Sequence, residues 1–250
     1  MADADQGQPE LLNWLTLLEK CFEGTAFAHF LAAWGNIIFS LFAVCVITLF
    51  AYMATRKKEI VKPGKLQNFA EILVAGIDDF VCGILGPKGR KYTPFIGTLF
   101  IYILFMNLVG LIPFMKSATA SWSITLALAL VVFVYVQYTA VRELGFFGYI
   151  DHLMERPRGA MALSVVLPIF MLFIHLIGEI VKPLTLSLRL RSNVWGDDLL
   201  LAIMTGFGLP ALPLLFFNTL LALLAVTVQA VVFCLLTTIY FALVMPEEHQ

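Results

Sequence analysis

Five stretches of this chain run for about twenty residues or more without an Asp, Glu, Lys or Arg: 34–54, 92–115, 117–141, 159–178 and 199–245. A helix rises 1.5 Å per residue and needs ~20 apolar residues to cross the hydrocarbon core of a bilayer. Only helices or closed barrels satisfy every backbone N–H and C=O in that medium, and runs of this length fit helices. The rest of the chain cannot make up the missing polar surface, because 60% of residues are apolar, 13% are charged and the mean hydropathy is +0.91. A soluble domain carries about 25% charged residues. The prediction is an all-α integral membrane protein with about five transmembrane helices. The fourth run is interrupted only by His175. The fifth is too long for one upright span and is expected to break within 206–213, Gly-Phe-Gly-Leu-Pro-Ala-Leu-Pro.

Charge sets the expected orientation. Eight basic residues, Arg56, Lys57, Lys58, Lys62, Lys65, Lys88, Arg90 and Lys91, lie between the first two runs, and Arg142, Arg156 and Arg158 follow the third. Placing both connections in the cytoplasm leaves only Lys20 and Lys116 outside, so the positive-inside rule predicts an outside N-terminus and a cytoplasmic C-terminus. The chain then divides into an outside segment (1–33), a first transmembrane helix (34–55), a cytoplasmic segment (56–91), a transmembrane hairpin (92–141), a cytoplasmic loop (142–158) and a C-terminal helix hairpin (159–250). Within 66–85, Leu66, Phe69, Ile72, Leu73, Ile77, Phe80 and Ile84 recur at helical spacing among polar residues. This predicts an amphipathic helix, lying either on the inner membrane surface or against protein. The acidic start, Met-Ala-Asp-Ala-Asp, does not look like a cleavable signal, so the first span is expected to act as the targeting signal. A net charge of −1 argues against a nucleic-acid partner. Cys21, Cys45, Cys82 and Cys234 lack metal-ligand spacing; neither a disulfide, a metal nor another cofactor is expected.

Residues 179–198 interrupt the apolar C-terminal half with Glu, Lys, Arg, Asn and Asp. Hydropathy alone reads a solvated loop there. On a helical wheel, however, His175, Glu179, Lys182, Arg189, Asn193 and Asp197 fall within an arc of ~80°. That pattern predicts a membrane-embedded helix turning one ionisable stripe away from lipid. Pro183 bends such a helix without ending it. Arg191 and Asp198 fall on roughly the opposite side, where they could pair. In the last run Asn218, Gln229 and Tyr240 are spaced eleven residues apart, three turns with ~20° of drift, and so share a face.

Lys182-Pro183-Leu184 followed by Leu186-Ser187-Leu188-Arg189-Leu190-Arg191-Ser192-Asn193 resembles the signature of the a subunit of F-type ATP synthases. That family carries a basic-Pro pair, a Leu/Ser-rich stretch and then Leu-Arg-Leu-Phe-Gly/Ala-Asn. Residues 94–100 leading to Asn107, Gly110 and Pro113 resemble its second span, and Gln229-Ala230-Val231-Val232-Phe233 with Tyr240, Glu247, Glu248 and His249 resembles its last helix. The likeness covers roughly residues 30 to 250. It also has departures: Arg191 stands where the family usually has Phe, Ser192 where it has Gly or Ala, and His175 where many members have Glu. Asp198 aligns with a position often Glu or His, and Ala222 with one that is polar in some members.

The resemblance implies a long, tilted C-terminal hairpin facing a ring of c subunits, b-type peripheral stalk partners and a place in the bacterial inner membrane. It implies an ion-translocating subunit that is not itself an enzyme. Protons would pass between two half-channels by way of ring carboxylates, with Arg189 as the barrier. An arginine suits that task because its pKa exceeds ~12 and it cannot hand on the proton. His175, Glu179, Asn193, Asp197, Asp198, Asn218, Gln229 and Tyr240 become channel-lining candidates. A sodium-translocating a subunit is an alternative, since ion choice would rest mainly with the ring. A secondary ion-coupled transporter is another, but it should show inverted repeats with paired broken helices, and only one broken region is legible. A haem- or quinone-binding subunit would need paired helix-borne histidines, whereas His29, His152, His175 and His249 are widely separated.

Overall fold

The computed structural model describes residues 26–56, 64–112, 119, 121–154 and 166–245. Helices α1 (Ala26–Thr55), α2 (Lys65–Leu85), α3 (Thr93–Gly110), α4 (Trp122–Met154), α5 (Val166–Thr205) and α6 (Leu212–Val244) make up nearly all of it, and no strand occurs among the described residues. Five segments are long and apolar enough to span a bilayer: Ile37–Thr55, Thr93–Gly110, Trp122–Gly145, Phe170–Thr205 and Leu212–Val244. The fold class expected from the apolar runs is therefore the one observed. Lys20, Cys21, Lys57, Lys58, Lys62, Lys116, Arg156, Arg158, Glu247, Glu248 and His249, with the start of the fourth run at 159–165, lie outside the described residues.

The core is a seam among α3, α4, α5 and α6. Tyr92, Ile96 and Ile103, Val132 and Val136, Leu186 and Leu190, and Phe233 and Phe241 are all buried there. Its centre is aromatic. Phe241 stacks on Tyr92 at 4.6 Å and meets Tyr135 edge-on at 5.6 Å, while Phe95 lies 4.3 Å from Tyr135. Small residues, Ala129, Ala140 and Ala230, let the backbones close around these rings. Along the rest of α6, Phe216, Leu220 and Leu224 stay exposed, as a lipid- or partner-facing surface requires.

Contacts between α4, α5 and α6 give their directions. Trp122 meets Arg191 while Gln137 meets Glu179, so α4 and α5 run antiparallel. Gln229 meets Asn193 while Tyr240 meets Lys182, so α5 and α6 do as well. The break before α6 falls where Gly and Pro predicted it. α5 stops at Thr205, Gly208 takes a left-handed φ of 70°, and a short 3-10 turn (Leu209–Ala211) leads into Pro213 near the start of α6. At 40 and 33 residues, α5 and α6 measure ~60 and ~50 Å against a ~30 Å hydrocarbon core, so each must tilt or project beyond it.

α2 packs against protein along only part of its length. Ile77, Phe80 and Val81 pack into the main core, whereas Leu66, Phe69 and Ile72 stay exposed. Its junction with α3 is polar. Asp78 accepts from the Thr93 hydroxyl at 2.8 Å and from the Arg90 guanidinium at 3.0 and 3.1 Å. The hydrogen bond from Thr93, helped by the charge of Arg90, holds that carboxyl below its ordinary 3.8. α1 sits outside the main core. It touches α3 through Ala43 and Met106, and Ser40 shares a 2.5 Å hydrogen bond with Tyr102.

α4 does not stop where its apolar run does. Gly145 breaks the helix with φ 72° and ψ 161°, values open to glycine and strained for side-chain-bearing residues, and helix resumes to Met154. The break turns the chain so that Tyr149 reaches Gln137 in the preceding span.

Candidate functional site

Residues 179–198 lie wholly within α5, so the helical reading of the polar segment holds and the loop reading fails. Packing then divides the ~80° polar arc. Pro183, Leu186, Leu190 and Val194 form the buried edge of α5, and on the wheel that edge adjoins the Glu179 and Asp197 side of the arc. Glu179 and Asp197 are accordingly half-buried. Arg189, at the other margin, is exposed and makes no hydrogen bond or ion pair with any described residue.

Arg191, ~200° from Arg189 around the helix, turns back to protein. Its guanidinium lies 5.3 Å from the centroid of the Trp122 ring, a cation–π contact. The pairing of Arg191 with Asp198 suggested by the sequence is thus replaced by an aromatic partner on α4. Seven residues along α5 put Asp198 ~10 Å of rise away, whereas the start of the antiparallel α4 is directly alongside.

Two polar clusters flank Arg189 along the axis. On its N-terminal side Glu179 accepts from Gln137 Nε2 at 2.6 Å and is paired with Lys182. The Lys182 ammonium also lies 5.3 Å over the ring of Tyr240, and Gln137 Oε1 accepts from the Tyr149 hydroxyl at 2.5 Å. On the C-terminal side Asn193 Nδ2 donates to Gln229 Oε1 at 3.0 Å. Gln229 Nε2 is buried without an acceptor among the described residues, and so is the Nδ2 of Asn218 further along the same face. Donors of this kind are costly in a dry interior and stable where water reaches them. Arg189 stands ~10 Å of helix rise from Lys182 and ~6 Å from Asn193.

The eleven-residue series on α6 therefore faces α5, and two of its three members touch it. His175 donates from Nδ1 to the Met171 carbonyl of its own helix at 3.1 Å, and Asp198 is half-buried. Gln137 and Tyr149, absent from the sequence-derived set, join the first cluster. Gln137 carried a signal, as the lone amide of an otherwise apolar span. Tyr149 carried none, because its place depends on the turn at Gly145.

A family model described as "ATP synthase A chain" matches residues 37–242. A protein named ATP synthase subunit a from Protochlamydia amoebophila (strain UWE25) is 41% identical over 97% of this chain and 92% of its own length. One of the same name from Solidesulfovibrio magneticus is 37% identical over 86% of each chain, and one from Helicobacter pylori (strain P12) is 36% identical over 86% of this chain and 92% of its own.

Proposed function

Because the chain belongs to the ATP synthase A chain family, we propose that it is the proton-translocating stator subunit of an F-type membrane sector, with Arg189 as the barrier between two half-channels. The observation that carries this reading is the placement of an exposed guanidinium, without a hydrogen bond or ion pair among the described residues, between two polar clusters on a membrane-spanning helix. Exposing such a charge to lipid costs at least ~2.5–3.5 kcal/mol on insertion scales, so a polar partner must face it. A carboxylate on a rotating c ring supplies that partner. In the orientation set by the basic residues, the Glu179 cluster opens toward the cytoplasm and the Asn193–Gln229 cluster toward the outside. A proton arriving by one cluster neutralises a ring carboxylate and leaves by the other after the ring turns. Arg189 keeps the carboxylate opposite it ionised between those events. The subunit itself performs no bond chemistry. Its other partners on this reading are the b-type stalk and the lipid bilayer, and its place is the bacterial inner membrane.

The test is assembly and coupling. The chain should purify with a c ring and stalk subunits as one complex, and vesicles containing that complex should acidify on ATP addition and make ATP under an imposed proton gradient. An isolated chain that catalyses solute transport without a ring would refute the assignment, and coupling driven by a sodium gradient alone would correct the ion.

Orientation is tested separately. Single cysteines introduced at Lys57 and Arg90 should react with membrane-impermeant reagents only from the cytoplasmic side, at rates at least about tenfold above those from outside. Labelling from outside would invert the assignment of the two clusters.

A further inference from the structure

The outward side of α4 changes character along its length. Val131, Val134 and Tyr138 are 54%, 62% and 59% exposed, and Arg142 is exposed beyond them. Helical period puts these four on one stripe, apolar for its first turns and ending in a phenol and a guanidinium. Buried Val132, Val136 and Ala140 occupy the opposite side. Neither the Tyr138 hydroxyl nor the Arg142 guanidinium makes a hydrogen bond or ion pair with a described residue. Depth places the polar end. From Trp122 to Arg142 the helix rises ~30 Å, the thickness of the hydrocarbon core. With Trp122 at one boundary, Arg142 stands at the headgroup level of the other. Lys91, at the foot of α3, reaches the same level, since it pairs with Glu143 and lies 4.9 Å from the centroid of the Tyr92 ring. Lys88 and Arg142 are also near enough to act on the Glu143 carboxylate. One acid is thus set among three bases, and its contact with Lys91 uses only one of three ammonium donors.

We propose that this end of the α3–α4 seam binds the headgroup of an anionic phospholipid. The phosphodiester oxygens accept from Arg142, Tyr138 and Lys91, and one acyl chain lies along Val134 and Val131. The assignment depends neither on the role of Arg189 nor on which membrane face is cytoplasmic. Each part of the lipid meets matching chemistry. A guanidinium presents a planar fork of donors to phosphate oxygens, and the phenol, one helical turn deeper on the same stripe, adds a neutral donor. The excess of bases over the single acid selects a lipid with net negative charge. A zwitterionic headgroup brings its own cation into that field and gains less. The apolar stripe below distinguishes a lipid from a soluble phosphate, which has nothing to place there. Basic side chains at the ends of neighbouring spans are the usual means by which membrane proteins hold such headgroups.

The test places a photoreactive amino acid at Val134 of the full chain, in its membrane complex, in vesicles of phosphatidylcholine with a minor fraction of phosphatidylglycerol. Mass spectrometry of the captured adducts gives the ratio of the two lipids. Phosphatidylglycerol should be enriched at least about fivefold over its share of the bilayer, the effect of one well-placed cation. The same probe at Phe173, exposed on α5, should capture both lipids in their bulk ratio. Arg142→Gln should bring the Val134 ratio to within about twofold of bulk, whereas Arg142→Lys should keep most of the enrichment. That contrast separates lost charge from a damaged fold. Tyr138→Phe should lower the enrichment at least about twofold, the loss of one hydrogen bond, whereas a diffuse surface potential would not respond to a hydroxyl. Enrichment unchanged in Arg142→Gln and Tyr138→Phe would overturn the proposal. So would capture of a partner polypeptide at Val134 in place of lipid. Loss of the enrichment on adding inorganic phosphate, at an ionic strength matched with sodium chloride, would mark a soluble-anion site and overturn it as well.

Discussion

Replacing Arg189 by alanine is expected to abolish ATP synthesis driven by a proton gradient, whereas replacing Arg191 by phenylalanine should leave most of it. The two side chains are two residues apart in sequence and ~200° apart on the helix, so the pair tests the helical register of the site. Arg189 is exposed on the flank of α5 and makes no hydrogen bond or ion pair with a described residue; Arg191 is engaged with Trp122. At ~4 Å and an effective dielectric of ~20, a guanidinium attracts a carboxylate by about 4 kcal/mol. With 1.4 kcal/mol per tenfold, its loss raises the chance of a ring carboxyl crossing the gap still protonated by roughly a thousandfold. Synthesis should fall below detection and passive proton leak should rise. Arg189→Lys is expected to fail nearly as badly. An ammonium retains the charge but can be neutralised on desolvation, and it cannot hold a carboxylate in bidentate fashion. In Arg191→Phe an aromatic pair with Trp122 replaces the cation–π contact, and both are small terms of similar size. Synthesis and leak measured together in reconstituted vesicles decide it. Coupling intact in Arg189→Ala and lost in Arg191→Phe would place the working register on the other side of α5.

The second large effect concerns stability. Phe241 is fully buried where α3, α4 and α6 meet, against Tyr92, Phe95 and Tyr135. Phe241→Ala removes the ring that all three share. Truncating a buried Phe costs about 3–5 kcal/mol in soluble cores. The low end applies here, since part of that cost is transfer to water, whereas a separated membrane helix exposes its side chain to lipid. About 3 kcal/mol is expected, seen as a lower midpoint for unfolding of the detergent-solubilised protein and a reduced yield of assembled complex. Phe241→Leu keeps most of the volume and should cost less than half as much. If the alanine variant matches the parent in both measurements, the aromatic cluster is not what joins these helices.

Much of this protein is legible in one dimension because a bilayer leaves few choices. The five apolar runs had to become helices, since no other open structure satisfies its backbone there, and Gly and Pro within 206–213, inside the fifth run, had to separate helices α5 and α6. The polar arc from His175 to Asp197 was equally legible, because helical period alone gathers it. Periodicity cannot say where on the wheel the neighbours sit. Packing at Leu186 and Leu190 drew the Glu179 side of the arc against α4 and left the Arg189 side facing outward, which converts one stripe into two clusters and an uncovered cation. Gln229 finding Asn193, Lys182 finding Tyr240 and Arg191 finding Trp122 are contacts across dozens of residues, and they depend on the antiparallel stagger of three helices. Tyr149 is the plainest case. Its hydroxyl reaches Gln137 only because a single glycine, unremarked in the sequence, adopts a left-handed φ and turns the chain back on itself. Local sequence determines which residues are helical and which face is polar; the tertiary arrangement decides what each polar group meets, because side-chain partners are fixed by helix rotation and stagger, which local spacing does not encode.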